Sequence, residues 1–293
     1  MKSGFIAIIG RPNAGKSTVL NKLTGQKIAA ISSKPQTTRT KILGIVTDEN
    51  SQCVFVDTPG IHFPRNKLGD FMNREAKDAV KSVDMIVLVV DEGAKDNEND
   101  RIIESLKSEN IPVILVINKI DLFEKEKLFS LIQGYSEKFN FDAVVPVSAI
   151  NGDGIKILKE EIDKRLEEGP MYFSPEMVTD QPERQIVAEL IREKALWCLS
   201  KEVPHGIAIE IEKFKEKENG TVEIGAVIYC EKASHKGIII GKGGAMLKNI
   251  GQKSRIEIEK FLDTKVFLEL WVKVKEDWRN SDILIKNFGY KSE

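Results

Sequence analysis

Along the first 168 residues, short unbroken apolar runs alternate with segments of helical period. The runs fall at 5–9, 43–46, 53–56, 85–90, 113–117 and 144–147. A strand covered on both faces reads as a continuous Val/Ile/Leu stretch, whereas one with a wet face alternates. Between the runs, apolar positions at helical spacing mark 16–23, 68–80, 99–108, 125–139 and 154–166. This order predicts a mostly parallel sheet with helices on both faces, a three-layer α/β domain over residues 1–168.

Near residue 168 the rhythm breaks. Gly169-Pro170, Ser174-Pro175 and Gln181-Pro182 fall close together, a composition suited to an extended linker over 169–182. Beyond it the pattern predicts a helix at 183–200, strands at 207–214 and 221–230, and a polar turn at 215–220. A Gly-rich stretch then leads into a further helix, followed by a strand at 265–274 and a short tail. Residues 183–293 therefore read as a smaller α+β module.

Composition narrows the class. The chain has 293 residues, 41% hydrophobic and 30% charged, with 44 Lys+Arg against 45 Asp+Glu. That balance excludes wholesale disorder, and no apolar run approaches the ~20 residues of a bilayer span. The apolar run at 5–9 is too short for a signal peptide and leads straight into Gly10 and Arg11. Cys53, Cys198 and Cys230 are widely spaced and read as small buried hydrophobes in a reducing compartment, so a cytoplasmic location is expected. The neutral total conceals two one-sided stretches. Residues 1–47 hold no Asp or Glu but eight Lys/Arg, and 232–255 hold six Lys/Arg and no carboxylate. Each is a candidate surface for phosphate-bearing ligands.

The first stretch contains Gly10-Arg11-Pro12-Asn13-Ala14-Gly15-Lys16-Ser17-Thr18, which fits G-x-x-x-x-G-K-[ST] between an apolar run and a helical segment. Glycines let backbone N–H groups turn in around phosphates, and the helix N-terminus adds a positive dipole end. Lys16 reaches the β/γ-phosphates and the Ser17 hydroxyl ligates Mg²⁺. Asp57-Thr58-Pro59-Gly60 follows the apolar run at 53–56. Asp57 suits a second, water-mediated Mg²⁺ contact, and the Gly60 N–H suits the γ-phosphate, with Ile61 adjoining. Asn118-Lys119-Ile120-Asp121 and Ser148-Ala149 close the next two runs. Asp121 accepts from the N1–H and 2-amino group of guanine, which adenine cannot match, and a site built on such bonds discriminates by ~10⁴–10⁵. Ser148-Ala149 offers a backbone N–H to the guanine O6.

In the second stretch Ile240 leads into Gly241-Lys242-Gly243-Gly244, with Lys236, Lys248, Lys253 and Arg255 around it. Small residues here admit a nucleic-acid backbone, and an amphipathic helix follows. The order helix, strand, strand, helix-GxxG-helix, strand is similar to a type II KH domain. Trp271, Trp278 and Phe267 are assigned to core or strand packing, since no basic–aromatic register accompanies them.

In this order the motifs resemble a translation-factor-class GTPase domain of the P-loop NTPase, Ras-like type. Lys34-Pro35-Gln36-Thr37-Thr38-Arg39 is similar to the first switch of the bacterial Era GTPases, and the likeness continues through the KH module. The resemblance implies GTP hydrolysis with Lys16, Thr38 and Gly60 as the catalytic set. It implies Mg²⁺ held by Ser17, Thr38 and Asp57, with Thr37 the alternative to Thr38. Asn13 resembles its counterpart in GTPases that recruit K⁺. The implied partner is small-subunit ribosomal RNA near its 3′ end, with a role in assembling that subunit, peripheral contact with the cell membrane and a monomeric state. Ile61 has no hydrogen-bonding side chain to orient water and His62 is an unconvincing substitute, so slow intrinsic turnover is expected. Rival readings are an RNA-binding scaffold with a nucleotide-locked G domain, a membrane-associated signalling GTPase and, more distantly, a P-loop kinase.

Overall fold

The computed structural model describes residues 1–34, 36–60, 66–92 and 98–290. Two compact units are present, and they do not follow strict chain order. One comprises Met1–Ile28, Thr38–Phe63 and Met72–Asp180; the other comprises Ala29–Thr37, Pro64–Phe71 and Gln181–Glu293.

The first unit is built on β1 (Lys2–Ile9), β2 (Ile42–Thr47), β3 (Ser51–Asp57), β4 (Met85–Val90), β5 (Val113–Asn118) and β6 (Ala143–Val147). They form one sheet in the order β2-β3-β1-β4-β5-β6. All neighbours are parallel except β2, which runs antiparallel to β3. Every residue of β4 and β5 is buried, which is why both read as unbroken apolar runs. The helices α1 (Lys16–Thr24), α3 (Glu98–Leu106), α4 (Lys125–Ser136) and α5 (Ile155–Arg165) belong to this unit, while α2 (Lys67–Val80) is divided between the two. Ile102, Ile103 and Leu106 of α3 pack on Ile86, Leu88, Leu115 and Ile117 of the sheet.

Sheet register fixes where chemistry collects. Ile8 pairs with Asp57, Ile9 with Leu88, Val90 with Ile117 and Asn118 with Val147. The loops leaving β1, β3, β4, β5 and β6 therefore open along one edge. Chain order reverses beside β1, and ligands of open α/β sheets bind at such a point.

The stretch expected as a linker is a strap on this same unit as far as Asp180. Val178 O accepts from Ile45 N at 2.7 Å and Leu43 O accepts from Thr179 Oγ1 at 2.7 Å. The buried Gln52 side chain binds Tyr172 N at 2.7 Å and Phe173 O at 2.9 Å. The cause is the edge: the outward N–H and C=O groups of β2 need partners, and the strap supplies them.

The second unit carries α6 (Glu183–Cys198), β7 (Ala208–Glu216), β8 (Val222–Cys230), α7 (Ala233–Ile240), α8 (Ala245–Leu262), β9 (Val266–Val274) and α9 (Asp282–Asn287). β7 is antiparallel and β9 parallel to β8 in a three-stranded sheet. Val187, Leu190, Ile191 and Ala195 of α6 pack with Ile250 and Ile258 of α8 in its core. The tail is folded rather than loose: Ser281 caps α9, and Trp278 is fully buried against Phe288 and Tyr290.

Trp278 Nε1 donates to Gly206 O at 2.9 Å. Trp278→Phe is expected to lower the stability of this unit by ~1–3 kcal/mol by leaving that buried carbonyl unpaired. Trp278→Ala is expected to cost ~3–5 kcal/mol. Urea unfolding followed by circular dichroism checks both, and equal midpoints for all three proteins would contradict the assignment.

Candidate functional site

The phosphate end is set by backbone geometry. Gly15 caps α1 at φ +102°, and a Cβ there would lie 2.1 Å from Asn118 Nδ2. No side chain caps α1 and its first turn contains no acid, so its leading N–H groups are available to an anion. The buried Lys16 Nζ donates to Gly10 O at 3.0 Å and Arg11 O at 3.1 Å, placing its ammonium inside the loop. Thr58 Oγ1 donates to Ile8 O at 3.0 Å and ties the loop after β3 to β1. Gly60 lies directly on the loop after β1, where a Cβ would come within 2.7 Å of Pro12 N.

Three oxygens converge beside Lys16. Ser17 Oγ lies 2.7 Å from Asp57 Oδ2 and 2.8 Å from Thr38 Oγ1, and Thr38 Oγ1 is 3.4 Å from Asp57 Oδ2. Thr37 instead turns away and donates to Lys34 O at 2.6 Å. Asp57 Oδ1 is buried without a hydrogen-bond partner. Two hydroxyls gathered on one oxygen of a carboxylate whose other oxygen has no partner are hard-oxygen donors of the kind that fit Mg²⁺, an ion that keeps waters and takes its remaining ligands from phosphate. Among the described residues no cluster of three His, Cys, Asp or Glu offers another metal site. Pro35, Ile61 and His62 lie outside the described residues.

At the base end Asn118 is the hub. Its Nδ2 donates to Ala14 O at 2.9 Å and its Oδ1 accepts from Ala149 N at 3.1 Å. Ser148 Oγ donates to Asp121 Oδ1 at 2.6 Å and aims the carboxylate. Ile120 and Asp121 lie in a short 3-10 turn preceded by Lys119 at φ +66°. Lys119 Nζ binds Asn13 O at 2.8 Å. Motifs more than a hundred residues apart in sequence thus meet around one pocket edge. Sequence reasoning missed Asp91, the residue after β4. It accepts from Arg11 Nε at 2.9 Å and from Lys119 Nζ at 2.5 Å. The sequence shows only a carboxylate directly after an apolar run, with nothing to pair it with Arg11 or Lys119.

In the second unit α7 ends at Gly241, φ +74°, where a Cβ would lie 2.7 Å from Met246 Cβ. Lys242–Gly244 form a 3-10 turn, and α8 starts with neither a side-chain cap nor an acid in its first turn. Beside it an open groove of about 440 Å³ runs past Gly244, Leu247, Lys248, Gly251, Gln252 and Arg255 to Leu268 and Leu270 of β9. Gly251, Gln252, Leu268 and Leu270 were not foreseen, although 244, 247/248, 251/252 and 255 form a helical stripe. Lys236 and Lys253 are exposed but do not line the groove, and Ile240 is half-buried beside the GxxG turn. Trp278 is a core residue, while Phe267 and Trp271 are 49% and 45% exposed and so outside the core; Trp271 packs along the sheet with its ring against Gly225 of β8, and Lys217 stands over the Phe267 ring. Strand alternation explains this: Val266, Leu268, Leu270 and Val272 face inward, so the odd positions face out.

Electrostatics single out the buried Lys16–Asp57 pair. Burial pushes Asp57 up to about 6, opposed by the Lys16 charge and the Ser17 and Thr38 hydroxyls. Burial brings Lys16 down to about 8, opposed by Asp57. With no ligand bound, the folded protein therefore binds more protons at Asp57 than the unfolded chain between about pH 4 and pH 6, and stability falls as pH rises through that window. For Lys16 the unfolded chain binds more, so stability falls as pH drops through about 8. In nucleotide-free, EDTA-treated protein, Asp57→Asn is expected to remove up to about 3 kcal/mol of the pH 4–6 decline. Urea midpoints across that range measure it, and parallel curves for the two proteins would refute the assignment.

A family model described as a 50S ribosome-binding GTPase matches residues 5–119, and one described as a KH domain matches residues 202–279. The GTPase Era of Clostridioides difficile (strain 630) is 54% identical over 295 residues, covering 100% of this chain and 99% of its own length. GTPase Era of Ruminiclostridium cellulolyticum is 53% identical over 292 residues, covering 99% and 98%. A crystal structure of Era in complex with MgGDPNP and nucleotides 1506–1542 of 16S ribosomal RNA matches at TM-score 0.94 with 40% identity, covering all of both chains. The chain belongs to the Era family of GTPases.

Proposed function

We propose that this GTPase uses its nucleotide state to set the grip of its KH groove on small-subunit ribosomal RNA near the 3′ end, and acts in assembling that subunit. The observation that carries the reading is Thr38. Its hydroxyl stands with Ser17 and Asp57 in the first unit. The preceding residue, Thr37, belongs to the second unit, where its carbonyl accepts from Arg192 of α6. In that same unit Ile31 N donates to Glu193 Oε2 and Ile31 O accepts from Trp197 Nε1, both at 2.8 Å. A threonine drawn to the γ-phosphate state is therefore covalently joined to a segment that α6 holds, which supports coupling through the first switch (26–42), with the second (60–68) alongside. The related Era crystallised with both MgGDPNP and a 16S fragment supports the choice of RNA.

Hydrolysis follows from positioning and charge. Lys16 and the leading N–H groups of α1 hold the β/γ-phosphates, Thr38 and Gly60 close on the γ end, and Asn118, Asp121, Ser148 and Ala149 orient guanine. Mg²⁺, when bound, neutralises charge between the phosphates. The Asn13 carboxamide is assigned to a K⁺ that assists the same charge build-up. Ile61 offers attacking water no hydrogen bond, so turnover of the protein alone is slow.

Among the described residues no helix is long and apolar enough to cross a membrane. The reading places a monomer in the cytoplasm, with peripheral contact at the inner face of the membrane.

The test is fluorescence anisotropy of a 16S 3′-end oligonucleotide with protein in GDP and GDPNP. Binding is expected to be tighter in GDPNP, to weaken steeply with salt, and to fall at least about tenfold in Gly241→Asp/Gly244→Asp. Equal affinity in both nucleotide states would leave the scaffold reading standing instead. Steady-state hydrolysis is expected to be faster in K⁺ than in Na⁺, and equal rates would remove the role given to Asn13.

A further inference from the structure

Asp91 is the first residue beyond β4 and is 5% exposed. Its two oxygens take two cations from two different nucleotide loops. Oδ1 accepts from Nε and Nη2 of Arg11, in the phosphate loop, and Oδ2 accepts from Lys119 Nζ, in the base-reading loop. Lys119 also reaches Asn13 O, and Asn118 reaches Ala14 O. The phosphate loop and the base loop are thus clasped at Arg11, Asn13 and Ala14, and Asp91 is the only anion among these contacts.

We infer that Asp91 is a positioning residue for guanine-nucleotide binding, which holds the phosphate loop and the base-reading loop in mutual register through Arg11 and Lys119. The charge pattern requires it. Arg11 and Lys119 are drawn to one point, and without the carboxylate between them they repel at short range; the Arg11 side chain is 14% exposed, and water reaches Lys119, at 36%, more readily. Lys119 then loses one of its two anchors. Asp121, two residues on, loses its fixed distance from the phosphate loop, and that distance must match the span from guanine to phosphates. Charge-assisted bonds from both oxygens make the clasp stiff as well as neutralising. An ordinary structural ion pair would stabilise the fold without altering which base is chosen; a register clasp alters the choice.

Titration of the nucleotide-free full chain with fluorescent GDP and IDP distinguishes the two, because IDP lacks the 2-amino group that Asp121 reads. Asp91→Asn is expected to weaken GDP about tenfold and to shrink the preference for GDP over IDP, as befits residues sharing one network. Asp91→Glu, which keeps the charge, should recover most of that loss. In an Arg11→Met/Lys119→Met background, Asp91→Asn should change GDP affinity less than about twofold. Unchanged GDP affinity in Asp91→Asn overturns the inference. So does an undiminished loss in the double background, or an equal loss for GDP and IDP accompanied by a lower melting temperature of the empty protein. Should Asp91→Asn not fold, the single variants Arg11→Met and Lys119→Met carry the test: their combined loss must fall short of the product of the single losses, and a fully multiplicative loss overturns the inference.

Discussion

Burial of two opposite charges, Lys16 and Asp57, at the carboxyl edge of an apolar sheet is the constraint around which the first unit is arranged. Neither has enough polar company when no ligand is present: desolvation moves both away from their charged forms, and Asp57 Oδ1 has no hydrogen-bond partner. Mutual attraction offsets only part of that desolvation. The cost is tolerable because the strands beneath are closed to water, with every residue of β3, β4 and β5 buried. A triphosphate supplies Lys16 with anionic partners, and a hard cation supplies the free Asp57 oxygen with a ligand. Ligand binding therefore relieves a cost built into the empty fold, which favours tight retention of nucleotide.

The same local device serves both phosphate-bearing ligands. α1 follows Gly15 and α8 follows Gly244, each glycine in the left-handed region, and neither helix has a side-chain cap or an acid in its first turn. What differs is depth. At α1 the lysine is buried and paired with a carboxylate; at α8 Lys248 and Arg255 are exposed on an open groove. Water and salt compete freely at the second and scarcely at the first. On the proposed reading, the nucleic-acid groove is therefore the more salt-sensitive of the two sites.

What the sequence discloses follows the range of the interaction concerned. β4 and β5 are legible because burial on two faces leaves an apolar run, and the phosphate loop and Asn118–Asp121 are legible because their backbone geometry is local. Asp91 is not, because its partners stand 80 and 28 residues away and only the sheet order brings them together. The 169–180 strap reads as free chain because its partners, main-chain groups on the edge of β2 and the Gln52 side chain of β3, carry no sequence signature. For Phe267 and Trp271 the two-residue alternation of β9 decides between the two packing sites, placing them along the outer face of the sheet rather than in the core. Thr37 and Thr38 are equivalent in sequence, and only the turn that sends Thr37 to Lys34 separates them.

That separation bears on how one phosphate can matter to the KH groove. GTP and GDP differ in affinity for any two conformations only through groups that meet the γ-phosphate or the metal it helps hold. On the proposed reading those are Lys16, Thr38 and Gly60, with Ser17 and Asp57 behind them. Lys16, Ser17 and Asp57 are fixed by α1 and β3 and have little room to report a change. Thr38 is joined by a single peptide link to a residue whose carbonyl is held by the fully buried Arg192, itself paired with Glu189. A buried guanidinium is costly to leave without its acceptor, so a movement of Thr38 that drags Thr37 is resisted unless α6 answers it. On the proposed coupling, its free energy cannot exceed the difference between the two nucleotides in what Thr38 and Gly60 gain, less whatever is lost at the Arg192 contact.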